Sequence, residues 1–214
     1  MGLPFAVLIS GRGSNMLALE RAVRDGRIDG QIVSVISDRA GAPGLAAARE
    51  LGLQASVLET AAREDREAFG QRLSDRIRES GARLVVLAGF MRILGDGFVR
   101  EWQGRLLNIH PSLLPAYRGL QTHRRVVEAG ESAHGCTVHF VVEELDAGPA
   151  VIQGRLIVRP GEDENALSAR VQRLEHIIYP RAVGWFAAGR LECRDGAALL
   201  DGRAAGPVVI EEEP

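Results

Sequence analysis

Hydrophobic and polar positions follow one another in two rhythms along the chain. Residues 4–10 (PFAVLIS) form a short apolar run, the pattern of a strand buried on both faces. Gly11-Arg12-Gly13 breaks the run, and Ser14 or Asn15 then caps a helix expected to reach residue 25, with Leu17, Ala18 and Ala22 at helical spacing. The alternation continues with a strand at 32–37, a helix at 43–51 and a strand near 55–58. A longer helix from 64 to about 79, charged on its outer face, precedes a strand at 84–88 (LVVLA), a short helix near Phe98 and a strand at 106–109. Strands and helices in this order predict βαβ units, and so an α/β fold: a Rossmann-like, open, twisted and mostly parallel sheet with helices on both faces.

The pattern then changes. Residues 136–142 and 151–158 read as strands, separated by the turn-forming Asp146-Ala147-Gly148-Pro149. Residues 165–187 read as one long helix that tolerates, or bends at, Pro180. Beyond Gly189, short strand-like pieces end in Val208-Val209-Ile210 and the acidic Glu211 to Glu213. No repeat, linker or low-complexity stretch interrupts the chain, so a single domain over 1–214 is expected. Its halves fall at about 1–102 and 103–200, with a flexible tail over 202–214.

Charge and composition narrow the function classes. Acidic residues outnumber basic ones 28 to 26 in a chain of 214, a net charge of −2, which argues against a nucleic-acid partner held by bulk positive charge. All the basic residues are arginine. Without lysine, neither a Walker-type phosphate loop nor a Schiff-base mechanism is available. Cys136 and Cys193 match no metal spacing or disulfide framework, and His134 and His139 lack the companions that a metal site needs. No apolar run nears the length of a membrane span, and Met-Gly-Leu-Pro-Phe, without a basic stretch ahead of an apolar one, leads to the expectation of no secretory leader. The expectation is a cytoplasmic monomer or homodimer that meets neither membrane nor nucleic acid.

Three places in the pattern can carry chemistry. Gly11-x-Gly13 lies where the first strand meets the first helix, a position suited to a phosphate at a helix N-terminus or simply to a tight turn. Met16 occupies the place of the third glycine of a dinucleotide fingerprint, favouring a single phosphate. Asn108 and His110, two apart at a strand end, point to the same side. Together they supply an amide donor and an imidazole of the kind acyl transfer uses to stabilise a developing oxyanion, or they satisfy loop backbone groups. Asp146 either caps its own turn or, if it meets His110, stabilises the imidazolium form. On the long helix, Gln172 and Glu175 share a face, either toward a polyol or toward solvent.

Taken together, VLISGRGSNM at the start, LAGFMRIL at 87–94, NIHPSLLPAYRGLQTH at 108–123, HGCTVHFVVEELDAGP at 134–149 and ARVQRLEHIIYP at 169–180 resemble the folate-dependent formyltransferases over nearly the whole chain. The resemblance implies transfer of a formyl group from 10-formyltetrahydrofolate, as co-substrate, to the amine of glycinamide ribonucleotide. It implies a catalytic triad of Asn108, His110 and Asp146, with no metal and no covalent enzyme intermediate. It places the ribonucleotide phosphate at Gly13, Ser14 and Asn15, and its ribose and glycinamide portion toward Gln172 and Glu175. Folate falls to Arg66, Met91, Arg92, Ile93 and Leu94, and to Asn108, Val142, Glu143, Glu144, Leu145 and Asp146, with Arg92 meeting an anionic group of the folate. Two positions depart from the family pattern: Arg118, where proline is common before Gly119, and Gln121, where histidine is frequent. Other folate-dependent formyltransferases and deformylases are the near alternatives; those acting on tRNA or hydrolysing formylfolate carry further domains. A nicotinamide-dependent oxidoreductase, suggested by Gly11-x-Gly13 and by Asp38 after the second strand, is the rival from another class.

Overall fold

The computed structural model describes residues 2–204 and 206–212. In chain order its elements are β1 (Leu3–Ile9), α1 (Ser14–Arg24), β2 (Gly30–Ser37), α2 (Pro43–Glu50), β3 (Ala55–Val57), α3 (Arg66–Glu79), β4 (Leu84–Leu87), α4 (Asp96–Glu101) and β5 (Leu106–His110). There follow α5 (Thr122–Ala129), β6 (Ala133–Phe140), β7 (Ala150–Ile157), α6 (Glu164–Ala187), β8 (Leu191–Arg194), β9 (Ala197–Leu200) and β10 (Val208–Glu211). Eight strands form one sheet of order β10-β7-β6-β5-β4-β1-β2-β3, and β8 and β9 form a separate hairpin. The expected α/β architecture is what the chain adopts. The pairings of β1 with β2 and β4, of β2 with β3, of β4 with β5 and of β7 with β10 are parallel, while β6 and β7 run antiparallel. Among the described residues no helix is long and apolar enough to cross a membrane.

The chain resolves into two compact units, Met1–Asn108 and Ile109–Pro214, with the boundary inside β5. In the first unit β1 and β4 are almost wholly buried, which explains their unbroken apolar runs. Helix α3 begins at Asp65, whose carboxylate accepts the Ala68 N–H at 2.8 Å, and packs on α4. The Trp102 indole donates to Ser74 Oγ at 2.9 Å, so this large buried side chain keeps its polar atom paired.

In the second unit α6 lies across β6 and β7 and remains one continuous helix through Pro180. Asp163 caps it by accepting the Ala166 N–H. The structure adds one element that the pattern does not announce, α5, which ends at the left-handed Gly130. Over residues 208–212 it also corrects the expectation of a flexible tail at 202–214, of which 205, 213 and 214 lie outside the described residues. Residues Val208–Glu211 pair in parallel with Ile152–Arg155 of β7, and the Glu212 N–H donates to the Arg155 carbonyl at 2.8 Å. Glu212 reaches back to Arg170 on α6, which also holds Glu162 at 2.7 Å; Arg170 and Glu162 are both more than nine-tenths buried. A paired strand and a buried ion cluster fix this segment. Glu213, the last of the acidic run, lies outside the described residues.

Candidate active site

In the first unit, with the order β5-β4-β1-β2-β3, the direction of winding reverses between β1 and β4, and open α/β sheets bind ligands beyond the carboxyl ends of strands at such a point. Two of the expected binding segments follow those two strands. After β1, Gly13 serves as the N-cap of α1 with φ 74°, and no side chain caps the helix there. A Cβ on Gly13 would meet Gly44 Cα at 3.0 Å, and the Gly44 N–H donates to the Gly11 carbonyl. The positive φ and the close neighbour favour glycine in this turn, and Ser14 and Asn15 begin the first turn of the helix after it. Met16 is fully buried, so the place of a third fingerprint glycine is filled by core packing.

After β4, the Met91 N–H donates to Ser10 Oγ at 2.8 Å, tying residues 91–94 to the end of β1. Met91 and Ile93 are exposed while Leu94 is buried. Arg66 begins α3 beside this segment: its carbonyl lies 3.0 Å from where a Gly95 Cβ would stand. The start of α3 thus lies against Gly95, the residue that follows 91–94. Asn108 ends the unit, in register with Leu87 of β4.

In the second unit His110 and Asp146 meet. His110 Nδ1 stands 3.4 Å from Asp146 Oδ2, and both side chains are more than nine-tenths buried. His110 Nε2 lies 3.0 Å from the Tyr117 carbonyl, so an acceptor faces each ring nitrogen. Asp146 Oδ2 also accepts the Gly119 N–H at 2.9 Å, and its Oδ1 is 3.8 Å from His139 Nε2. The carboxylate is thus aimed at the two histidines and at the 117–119 loop, with Asp146 itself in a left-handed conformation at φ 51°. Burial, above all, keeps His139 neutral by lowering its pKa, against the opposing effects of the Phe140 carbonyl and Asp146.

Gly148 closes the turn that carries Asp146. A Cβ there would stand 1.8 Å from the Phe140 carbonyl oxygen, so no other residue fits beside that strand end. Within the turn Val142 is half-buried, while Glu143, Glu144 and Leu145 face outward. Arg118 pairs with Glu144 at 2.5 Å, and its carbonyl accepts from Arg125 on α5. The residue that departs from the family pattern therefore joins two loops of the site. Gln121 adopts a left-handed conformation as N-cap of α5. Gln172 and Glu175 lie along α6, but Glu175 is buried, not solvated, and its charge, after burial, helps push the Cys136 thiol upward.

Sequence reasoning missed three contributors to this unit: the Tyr117 carbonyl, the Gly119 N–H and His123. His123 Nδ1 lies 3.0 Å from His134 Nε2, so one proton serves that contact and both rings cannot be charged comfortably. Burial first, then the charges of His123 and His110, pulls the His134 pKa down to about 4. An NMR titration of the ring carbons is expected to give a midpoint near that value, and one near the ordinary 6.5 would mean a solvated ring. Since the unfolded ring binds its proton first, the neutral folded ring supports stability above pH 6.5, and this support is lost as pH falls through 6.5 toward 4.

The formyl transferase family matches residues 3–183. The phosphoribosylglycinamide formyltransferase of Escherichia coli is 48% identical over 201 residues, covering 94% of this chain and 95% of that one. The enzyme of the same name from Haemophilus influenzae is 40% identical over 93% of this chain and 94% of its own. A solved phosphoribosylglycinamide formyltransferase from Coxiella burnetii superimposes with a TM-score of 0.93 at 43% identity, covering 98% of this chain and 99% of the other. Matches of this length and identity, on a fold whose strand ends carry the geometry above, lead to one conclusion: the chain is an enzyme of the formyl transferase family, on the phosphoribosylglycinamide formyltransferase branch.

Proposed function

We propose that the chain transfers the formyl group of 10-formyltetrahydrofolate to the amine of glycinamide ribonucleotide in the cytoplasm, releasing tetrahydrofolate and formylglycinamide ribonucleotide. The observation that carries this reading is the buried contact between His110 and Asp146, with Asn108 two residues earlier on the same strand. The neutral amine attacks the formyl carbon, a C–N bond forms, and the carbonyl oxygen becomes an oxyanion. The Asn108 amide and the His110 imidazolium donate to that oxygen, and Asp146 stabilises the imidazolium from the Nδ1 side. His110 Nε2 is the nitrogen that reaches the substrate, so the Tyr117 carbonyl yields it to the formyl oxygen. The intermediate collapses by breaking the bond from carbon to the folate N10. The proton lost by the attacking nitrogen passes through water to the leaving one.

Gly13, Ser14 and Asn15 take the phosphate at the start of α1, and Gln172 and Glu175 take the ribose and glycinamide portion. Arg66, Met91, Arg92, Ile93 and Leu94, together with Val142, Glu143, Glu144, Leu145 and Asp146, take the folate; the exposed apolar side chains of Met91, Ile93 and Leu145 suit a flat aromatic ligand. The test is a spectrophotometric assay of tetrahydrofolate release with and without the ribonucleotide. Release that depends on the ribonucleotide is the expected result. Release at a comparable rate without it would identify a deformylase and overturn the proposal.

A further inference from the structure

Two buried polar atoms in the Met1–Asn108 unit, Asp38 Oδ1 and Arg92 Nε, lack a hydrogen-bond partner, and they belong to facing side chains. Arg92 Nε stands 3.9 Å from Asp38 Oδ2, beyond hydrogen-bond reach, so charge alone joins them. The Asp38 side chain is only 8% exposed, that of Arg92 31%. The guanidinium carbon Cζ of Arg92 lies over the Phe69 ring, 4.7 Å from its centroid. Arg92 also adds to the forces that hold the Glu64 carboxyl low, after the hydrogen bonds from Arg72 and the Ala61 N–H. Asp38 directly follows β2 and Arg92 lies in the segment after β4, with β1 between those strands in the sheet, so the pair sits at the carboxyl edge where the winding reverses.

A buried carboxylate with an unpartnered oxygen is a cost to the fold, and a single ion pair seldom offsets it. The arrangement makes sense as orientation. With an acid on the Nε side and a ring beneath Cζ, the outer N–H edge of the guanidinium is left pointing outward. Two parallel N–H groups recognise a carboxylate only when that plane is fixed. Resting on the folate reading above, we infer that Asp38 is a positioning residue that aims Arg92 at the glutamyl carboxylates of the formyl donor. A competing effect runs the other way, because the Asp38 charge also weakens the pull of Arg92 on any anion. The isosteric D38N separates the two: lost aim loosens the donor, whereas lost neutralisation tightens it.

The experiment compares wild type, D38N, R92Q and the double variant. Each is assayed with 10-formyltetrahydrofolate and with the same donor lacking its glutamyl group, and calorimetry measures binding of tetrahydrofolate. D38N is expected to raise the donor KM, and the calorimetric Kd, roughly 5- to 20-fold, the range for one misaligned charge-assisted contact, with kcat and the ribonucleotide KM within about twofold. The effect should vanish on the truncated donor and add nothing to R92Q. An unchanged or tighter D38N, an equal loss on the truncated donor, or a loss that persists in the R92Q background would overturn the inference. If R92Q leaves both donors unaffected while wild type still turns over, Arg92 is no carboxylate site and the inference falls, with formyl transfer itself intact.

Discussion

On the proposed mechanism, His110→Ala is expected to lower kcat for formyl transfer by about 10²- to 10⁴-fold, the range in which a positioned acid–base group contributes. Its thermal midpoint should stay near that of wild type, because the ring is lost from a site and not from the centre of the core. Asp146→Asn is the more informative partner. Asparagine can place its amide oxygen where Oδ2 stands, accepting the Gly119 N–H and still facing His110 Nδ1, so that its NH₂ points toward His139 Nε2. The contacts of the imidazole are then kept while the negative charge beside Nδ1 is removed. The expected loss is similar to that of His110→Ala, and the double variant should be little worse than either, since the pair acts as one unit. Single-turnover rates with saturating donor and ribonucleotide check this directly. Losses that simply multiply would mean that the two side chains act independently.

The second large effect concerns stability. Arg170→Met should cost about 2–4 kcal/mol, because it leaves two carboxylates, Glu162 and Glu212, without the cation that justified their burial. Burial pushes the Glu162 carboxyl up, yet the hydrogen bonds from Arg170 and the Arg159 N–H, with the charges of both arginines, more than offset it. The group therefore sits below its ordinary 4.5. A carboxyl held low when folded adds stability above the unfolded value and loses it as pH falls through the folded one. Wild type should therefore lose this contribution below pH 4.5, while Arg170→Met lacks it at every pH. Urea denaturation at neutral pH and at successively lower pH should show the difference between the two proteins narrowing in acid. A constant difference would mean that Arg170 works by packing alone.

The first half of the chain was legible because its information is local. β1 and β4 are nearly unbroken apolar runs that end shortly before a glycine, β2 and β5 mix buried apolar residues with a few polar ones, and the helices between them have their own periodicity. Helix α5 was not, since THRRVVEA offers only Val126 as a fully buried hydrophobe, and the left-handed Gly130 at its end was the one usable signal. The fixed β10 segment depends on β7 and Arg170, far back in the chain, and nothing near residue 208 announces either partner. In the site, Asn108 and His110 were visible through strand alternation. The aim of Asp146 was not, because a carboxylate in a turn caps that turn by default. The polar pattern left Glu175 open between a ligand and solvent, because a helix resting on β6 and β7 buries more of its circumference than that pattern suggests. The Tyr117 carbonyl and Gly119 N–H are backbone groups, which every sequence possesses and none advertises.

The contact at Gly148 has a genetic consequence. Every missense substitution of a glycine codon adds the same atom, a Cβ, whatever else it adds, and at this position that atom collides with the Phe140 carbonyl. The strand would have to part from the turn, and Asp146, two residues earlier, would be carried away from His110 with it. Missense variation at codon 148 therefore carries the same steric cost whichever residue it introduces.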